Sequence, residues 1–189
     1  LLSRMRIISG KYRGKQIQFF KSLTTRPLKD SVKENIFNII NHSNLLKIKL
    51  DDANILDLYS GTGSFGIECI SRGAKGVTFV EKDNYAIEIL NKNLIMLSIK
   101  EKTLIIKDRI ENYLNTKKKE KFDIIFLDPP FAENEFINEI KLIKKNKVYS
   151  KNHLIIIHRE SKSQDDLSGI LKPLIVKRYS RSKIIFGKF

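Results

Sequence analysis

From residue 54 onward, short apolar runs alternate with segments of helical period. That alternation limits the chain to a parallel sheet covered by helices on both faces. The runs are Asn54–Tyr59, Gly76–Val80, Thr103–Ile106, Phe122–Leu127 and His153–Ile157. Between them, Phe65–Arg72, Asn84–Leu97, Ile110–Leu114 and Glu133–Lys145 read as helices. Two further strand-like pieces, Leu174–Tyr179 and Lys183–Phe186, meet at Ser180-Arg181-Ser182 and read as a terminal hairpin. The expected fold is α/β: a Rossmann-like, mostly parallel seven-stranded sheet with an antiparallel C-terminal hairpin. Ahead of it, Arg6–Phe20 reads as a small hairpin with Gly10 and Gly14 at its turns. Thr24-Thr25-Arg26-Pro27 reads as an extended loop, because the residue before proline disfavours the helical region. A helix follows, with Ser31 and Glu34 as a capping box and Val32, Ile36, Ile39 and Ile40 on its apolar face, ending near Asn44. The expected division is a basic hairpin and helix over 1–50 and a Rossmann-like domain over 51–189.

Charge is distributed unevenly along this plan. The net charge is +15. Residues 1–50 hold 11 Lys/Arg against two acids, and residues 170–189 hold 6 Lys/Arg and no acid. The stretch between them holds 19 of each, so the whole excess lies at the two ends. Solvated lysine faces, as at Lys117-Lys118-Lys119, would spread the excess more evenly. The pattern therefore points to a polyanion, RNA or DNA, contacted from the ends. Arg6, Lys11, Arg13, Lys15 and Arg26 are the candidate phosphate contacts. Cys69 is the only cysteine, and His42, His153 and His158 are scattered, so no internal disulfide and no metal site are expected. No apolar stretch is long enough for a membrane helix or a signal peptide. A reducing, cytoplasmic setting and a monomer are the expectations.

The strongest local signal is Asp57-Leu58-Tyr59-Ser60-Gly61-Thr62-Gly63-Ser64-Phe65-Gly66, where the first strand gives way to its helix. Ligands of open α/β sheets bind at the carboxyl ends of strands. Gly61, Gly63 and Gly66 match G-x-G-x-x-G, a pattern that several adenosine cofactors share. Glu81 ends the second strand twenty residues after Gly61, where a carboxylate can accept from ribose hydroxyls. Tyr59, Ser60, Thr62 and Lys82 flank the same positions. The residues to this point leave NAD and S-adenosylmethionine both open.

Two features favour S-adenosylmethionine. Asp57 lies inside the strand end, where a buried carboxylate needs a partner such as a methionine ammonium. Asp128-Pro129-Pro130-Phe131 ends the fourth strand. The prolines stiffen the backbone and leave their carbonyls as acceptors. An exocyclic amino group on a base is a poor nucleophile, because its lone pair is delocalised into the ring. Accepting both of its N–H bonds, at Asp128 and at the Pro129 carbonyl, returns that pair to nitrogen for attack on a sulfonium methyl. Phe131 is placed to stack on a base taken out of its helix. Asp108-Arg109, at the end of the third strand, reads either as an adenine contact or as a solvated turn.

Together these residues resemble the bacterial small-subunit ribosomal RNA guanine-N2 methyltransferases of the RsmD type, over nearly the whole chain from Met5. Met5-Arg6-Ile7-Ile8-Ser9-Gly10-Lys11-Tyr12-Arg13-Gly14 resembles that family's opening hairpin. Thr25-Arg26-Pro27 with Val32, Glu34, Phe37 and Asn38 resembles its Arg-Pro-Thr loop and helix. Asp57 to Gly66, Glu81 and Asp128 to Phe131 match its cofactor and catalytic motifs, and Arg178-Tyr179 to Phe186 its closing strands. The resemblance implies methylation of guanine N2 in 16S ribosomal RNA, within a small subunit or an assembly intermediate. Leu28 in place of Thr, Ser180 in place of Gly and His158-Arg159-Glu160 after the fifth strand depart from the pattern. Three rivals remain: an adenine-N6 methyltransferase sharing the Asp-Pro-Pro-Phe motif, an NAD-dependent oxidoreductase, and a non-catalytic RNA-binding module.

Overall fold

The computed structural model of the chain describes residues 2–20, 28–116, 120–130 and 134–189. Phe131, Arg26 and the expected loop around Thr24–Pro27 lie outside these residues. So do Lys117-Lys118-Lys119 and the expected helix start at Glu133.

Seven strands form one sheet in the order β5-β4-β3-β6-β7-β9-β8. They are β3 (Asn54–Leu58), β4 (Gly76–Glu81), β5 (Thr103–Lys107), β6 (Phe122–Leu127), β7 (Tyr149–Glu160), β8 (Lys172–Tyr179) and β9 (Ser182–Lys188). The first five run parallel, and β9 pairs antiparallel with both β7 and β8. The expected sheet and terminal hairpin are both present. Successive β6 residues serve opposite faces, as the pleat requires. Ile124 and Phe126 enter the core beneath α1 (Asp30–His42), α2 (Ser64–Ser71) and α3 (Asn84–Met96), whereas Ile125 and Leu127 enter the core beneath α4 (Ile110–Asn115) and α5 (Phe136–Asn146).

The chain runs outward from β3 through β4 to β5, and then returns to place β6 on the other side of β3. The carboxyl ends of β3 and β6 therefore flank the point where the winding reverses, the usual crevice for a ligand. Paired neighbours Leu58 and Leu127 bring the two ends level.

A separate two-stranded sheet, β1 (Leu2–Arg6) with β2 (Gln16–Phe20), is the expected N-terminal hairpin, and it begins earlier than the sequence suggests. Its residues Ile7 and Ile17 share one core with α1 and with Phe65 and Phe126 of the sheet domain. The glutamate of α2 ties it down further. Glu68 is buried and accepts from the backbone amides of Ile8 and Ser9, at 2.9 and 3.0 Å, and from Arg72 Nε at 2.8 Å. Lys33 of α1 lies 3.7 Å away, also fully buried. Burial lowers the Lys33 amine from its usual value, and Glu68 and Asp30 pull it partly back.

The capping box at Ser31 does not form. Helix α1 starts at Asp30, so Ser31 already lies within the first turn, and Lys29 precedes it without a side-chain cap. Asp30 holds the helix start through its ion pairs with Arg6 (3.5 Å) and Lys33 (3.9 Å), an acid where the helix dipole favours one.

Candidate active site

The turn after β3 is built by backbone conformation. Tyr59, Gly61 and Gly63 all take positive φ, at 60°, 54° and 88°. A tyrosine is rarely left-handed, and strain of this kind gathers where a loop is over-determined by a site. Here it is held by three contacts. The Tyr59 hydroxyl donates to Glu139 Oε2 on α5 at 2.7 Å. The Ser60 amide donates to the Val80 carbonyl at 3.2 Å. The Gly61 amide donates to Glu81 Oε2 at 2.8 Å. Gly66 is required for a different reason, since a Cβ there would lie 2.3 Å from the Phe79 ring.

Asp57 is 1% exposed and accepts from the Gly66 amide at 3.0 Å. It thus satisfies one of the amides left open at the start of α2, whose N-cap position, Gly63, has no side chain. Burial pushes the Asp57 carboxyl well above the usual carboxylate range; the Gly66 amide opposes the rise, and the Asp128 and Glu81 charges add to it. A cationic group would find here a carboxylate short of compensation. Ser60 Oγ is, among the described residues, the one buried side-chain polar atom without a hydrogen-bond partner. Nothing lies within 4 Å of where a Gly61 Cβ would point. A carboxylate short of charge, an orphaned hydroxyl and open space over a glycine together fit a polar, adenosine-bearing cofactor.

Tyr59, Glu81, Lys82, Asp108 and Arg109, all anticipated from the sequence, line one cleft beside Ile110 and Glu139. Glu81 is largely engaged: Oε1 accepts from the Lys82 and Asp83 amides at 2.8 and 2.9 Å, which leaves one acceptor position on Oε2. Asp108 Oδ1 accepts from the Arg109 amide and from Asn112 Nδ2, at 2.7 and 2.8 Å. Thr62 adds a carbonyl, which accepts from Asn93 Nδ2 at 3.1 Å. Asn93 also pairs with both backbone groups of Gln18, and so links hairpin β1–β2 to this turn.

Asp128 and Pro129 follow β6 on the adjoining strand end. The Asp128 side chain is 22% exposed and accepts from His158 Nδ1 through Oδ1 at 2.8 Å. Among the described residues Oδ2 and the Pro129 carbonyl have no donor. The Pro130 carbonyl is not free, contrary to the sequence expectation. Arg159 donates to it at 3.3 Å, because the adjoining strand β7 continues past the crevice and carries a buried guanidinium. Arg159 is 1% exposed, lies 4.4 Å from the Phe136 ring centre and pairs with Asp165 at 3.0 Å. Lys183 pairs with the same carboxylate at 3.0 Å. Burial alone would raise the Asp165 carboxyl, but Ser163, Lys183 and Arg159 outweigh it and hold it below its usual value. His158, Arg159, Asp165, Glu139 and Asn93 were not among the anticipated site residues. The one signal for the first two was a polar pair closing the apolar run at 154–157.

The described basic candidates, Arg6, Lys11, Arg13 and Lys15, all lie on the N-terminal hairpin. Arg6 pairs with Asp30 at the start of α1, whereas Lys11, Arg13 and Lys15 lie in the hairpin turn against Ser71, at the far end of α2. In register Arg6 faces Gln16, and the Ile7 amide donates to the Lys15 carbonyl at 2.9 Å, so the backbones of Arg6 and Lys15 run side by side. Lys11 and Lys15 flank the Tyr12 ring. Among the described residues no group of His, Cys, Asp and Glu could hold a metal ion, and no helix is long and apolar enough to cross a membrane.

The family model described as conserved hypothetical protein 95 matches residues 5–188. The chain is 36% identical over 187 residues to ribosomal RNA small subunit methyltransferase D of Buchnera aphidicola, covering 97% of this chain and 90% of that one. It is 35% identical over 158 residues to the protein of that name from Haemophilus influenzae, covering 82% and 79%. A solved structure of a candidate methyltransferase from Escherichia coli superposes with a TM-score of 0.84 at 26% identity, covering 98% and 97% of the two chains. The chain belongs to the family of conserved hypothetical protein 95, the RsmD family.

Proposed function

We propose that this chain transfers a methyl group from S-adenosylmethionine to the exocyclic N2 amino group of a guanine in small-subunit ribosomal RNA. It is a methyltransferase that uses S-adenosylmethionine and acts on ribosomal RNA, and its relatives are named ribosomal RNA small subunit methyltransferases. The observation that carries the site assignment is Asp128 Oδ2 beside the Pro129 carbonyl: two acceptors without donors among the described residues, level with the glycine turn.

When bound, S-adenosylmethionine supplies an electrophilic methyl on a sulfonium. Asp57 would hold the methionine ammonium, and the Ser60 hydroxyl would bond the polar end of the methionine. The remaining acceptor position on Glu81 takes a ribose hydroxyl, while Tyr59, Gly61, Thr62, Gly63, Gly66, Lys82, Asp108 and Arg109 shape the cleft. Asp128 and the Pro129 carbonyl accept the two N–H bonds of the substrate amino group, localising its lone pair on nitrogen. Asp128 would take the proton that the amino nitrogen sheds as it accepts the methyl group. Pro130 and Phe131 complete the base pocket. Most of the acceleration then comes from position and electrostatics. Residues 1–50, with Arg6, Lys11, Arg13, Lys15 and Arg26, contact RNA phosphates, inside a cytoplasmic small subunit or its precursor and with the enzyme as a monomer.

The test is methyl transfer from labelled cofactor to unmodified small ribosomal subunits, with the RNA digested to nucleosides. Labelled N2-methylguanosine is expected. N6-methyladenosine in its place would overturn the guanine assignment.

A further inference from the structure

We propose that His158 is the positioning residue that sets the Asp128 carboxylate for the incoming amino group, with Ser182 fixing its tautomer. The proposal rests on the reading of Asp128 given above.

His158 lies near the end of β7 and is 6% exposed. Its Nδ1 is 2.8 Å from Asp128 Oδ1, and its Nε2 is 2.9 Å from Ser182 Oγ on β9. An ionised carboxylate only accepts, so the Nδ1 proton must sit on the imidazole. In the neutral ring Nε2 is then a lone pair, and the Ser182 hydroxyl donates to it. The chain of donors runs one way: Ser182 Oγ–H to His158 Nε2, then His158 Nδ1–H to Asp128 Oδ1. The register places Ser182 beside the ring, since His158 pairs with Ile184 while Ser182 opens β9 opposite Glu160, two residues along.

This arrangement does three things to Asp128. It occupies one acceptor position on Oδ1 and leaves Oδ2 for the substrate. It fixes rotation about the carboxylate axis, which a carboxyl 22% exposed at a strand end would otherwise sample. With the ring neutral, it also leaves a negative charge in place, because a neutral imidazole donates without neutralising. A buried histidine satisfied for packing alone needs no such partner: His153, on the same strand, bonds the Ser150 carbonyl and the Phe189 amide, and neither belongs to the site.

The experiment compares full-length parent, His158→Leu, His158→Gln and Ser182→Ala. It measures kcat and KM on unmodified small ribosomal subunits, cofactor Kd, and Tm. Leucine removes the donor, and kcat should fall on the order of 10- to 100-fold, the scale for losing a partner that orients an active group, with cofactor Kd unchanged. Glutamine can donate an amide proton to Oδ1, and should bring kcat back to within about threefold of the parent. A histidine that serves only packing predicts the reverse: lower Tm in both variants and no selective rescue of kcat. Unchanged kcat in His158→Leu, or equal loss in the leucine and glutamine variants at parental Tm, overturns the proposal. Should His158→Leu not fold, Ser182→Ala decides: a several-fold lower kcat supports the relay and a parental kcat overturns it. Asp128→Ala separates the two readings. If it still transfers methyl, the Asp128 assignment itself fails; if it is dead while every His158 variant is parental, only the positioning proposal fails.

Discussion

The ends of β3 and β6 lie side by side, and they are shaped by opposite means. After β3, the turn is set by its own backbone: three left-handed residues within five, and amides that carboxylates tie down. After β6, the described backbone is held by side chains from other strands, with His158 on Asp128 and Arg159 on the Pro130 carbonyl. A cofactor with fixed shape can be met by a preformed backbone cradle. On the proposed reading the base arrives from outside, and Asp128, proposed to meet it, is bonded from a neighbouring strand. The cost falls differently too. Errors in the turn act through steric clash and pH, and errors behind β6 through uncompensated buried charge.

The largest expected effect is on the β6 side. Arg159→Leu leaves Asp165 with Lys183 alone and frees Pro130; breaking a buried pair costs about 3 kcal/mol or more. For a chain of this length that is roughly 6–12 °C in Tm. A melting curve within about 2 °C of the parent would show that the ion network does not hold the motif. Next comes Gly66→Ala. Its Cβ would meet Phe79 at 2.3 Å and Val77 at 2.8 Å, so overpacking of about 1–3 kcal/mol is expected, with weaker cofactor binding as α2 shifts. Parental Tm and Kd would mean that this packing is not what holds the turn.

The smallest effect is the pH response of Asp57. Its folded-state pKa is raised. Between the ordinary carboxylate range and that raised value, the unfolded chain has lost a proton that the folded one keeps. This contribution to cofactor-free stability is therefore complete at low pH and lost as pH rises through the folded value. A bound ammonium favours ionised Asp57, so cofactor binding should release a proton and tighten with pH over the same window. Calorimetry in buffers of different ionisation enthalpy reads that proton. Asp57→Asn should abolish both slopes, and a slope that survives would place the titrating group elsewhere.

The same contrast governs what could be read in advance. Strand and helix order was legible because apolar runs of five or six residues alternate with 3.6-period faces. The glycine turn, Asp57, Glu81 and Asp128 were legible because their chemistry is local to a strand end. Strand β7 was underestimated: its apolar run stops at Ile157, but the strand continues through His158 and Arg159, which bond Ser182 on β9 and Asp165 in the following connection. That satisfaction comes from residues 6 to 30 positions away, and no spacing rule carries it. The same holds for Glu68, which bonds amides 59 and 60 residues earlier. The capping box misled for the opposite reason, as a local pattern overridden by Asp30 and its ion pairs.

The central claim is that Asp128 acts on the amino group and not on the cofactor. Single-turnover methyl transfer by Asp128→Ala, with cofactor Kd measured on the same preparation, tests it most directly. Transfer reduced by about 10²–10³-fold, the scale for losing one preorganised polar contact to the reacting atoms, with Kd unchanged, is the predicted result. Parental transfer, or a loss wholly explained by weaker cofactor binding, would contradict it.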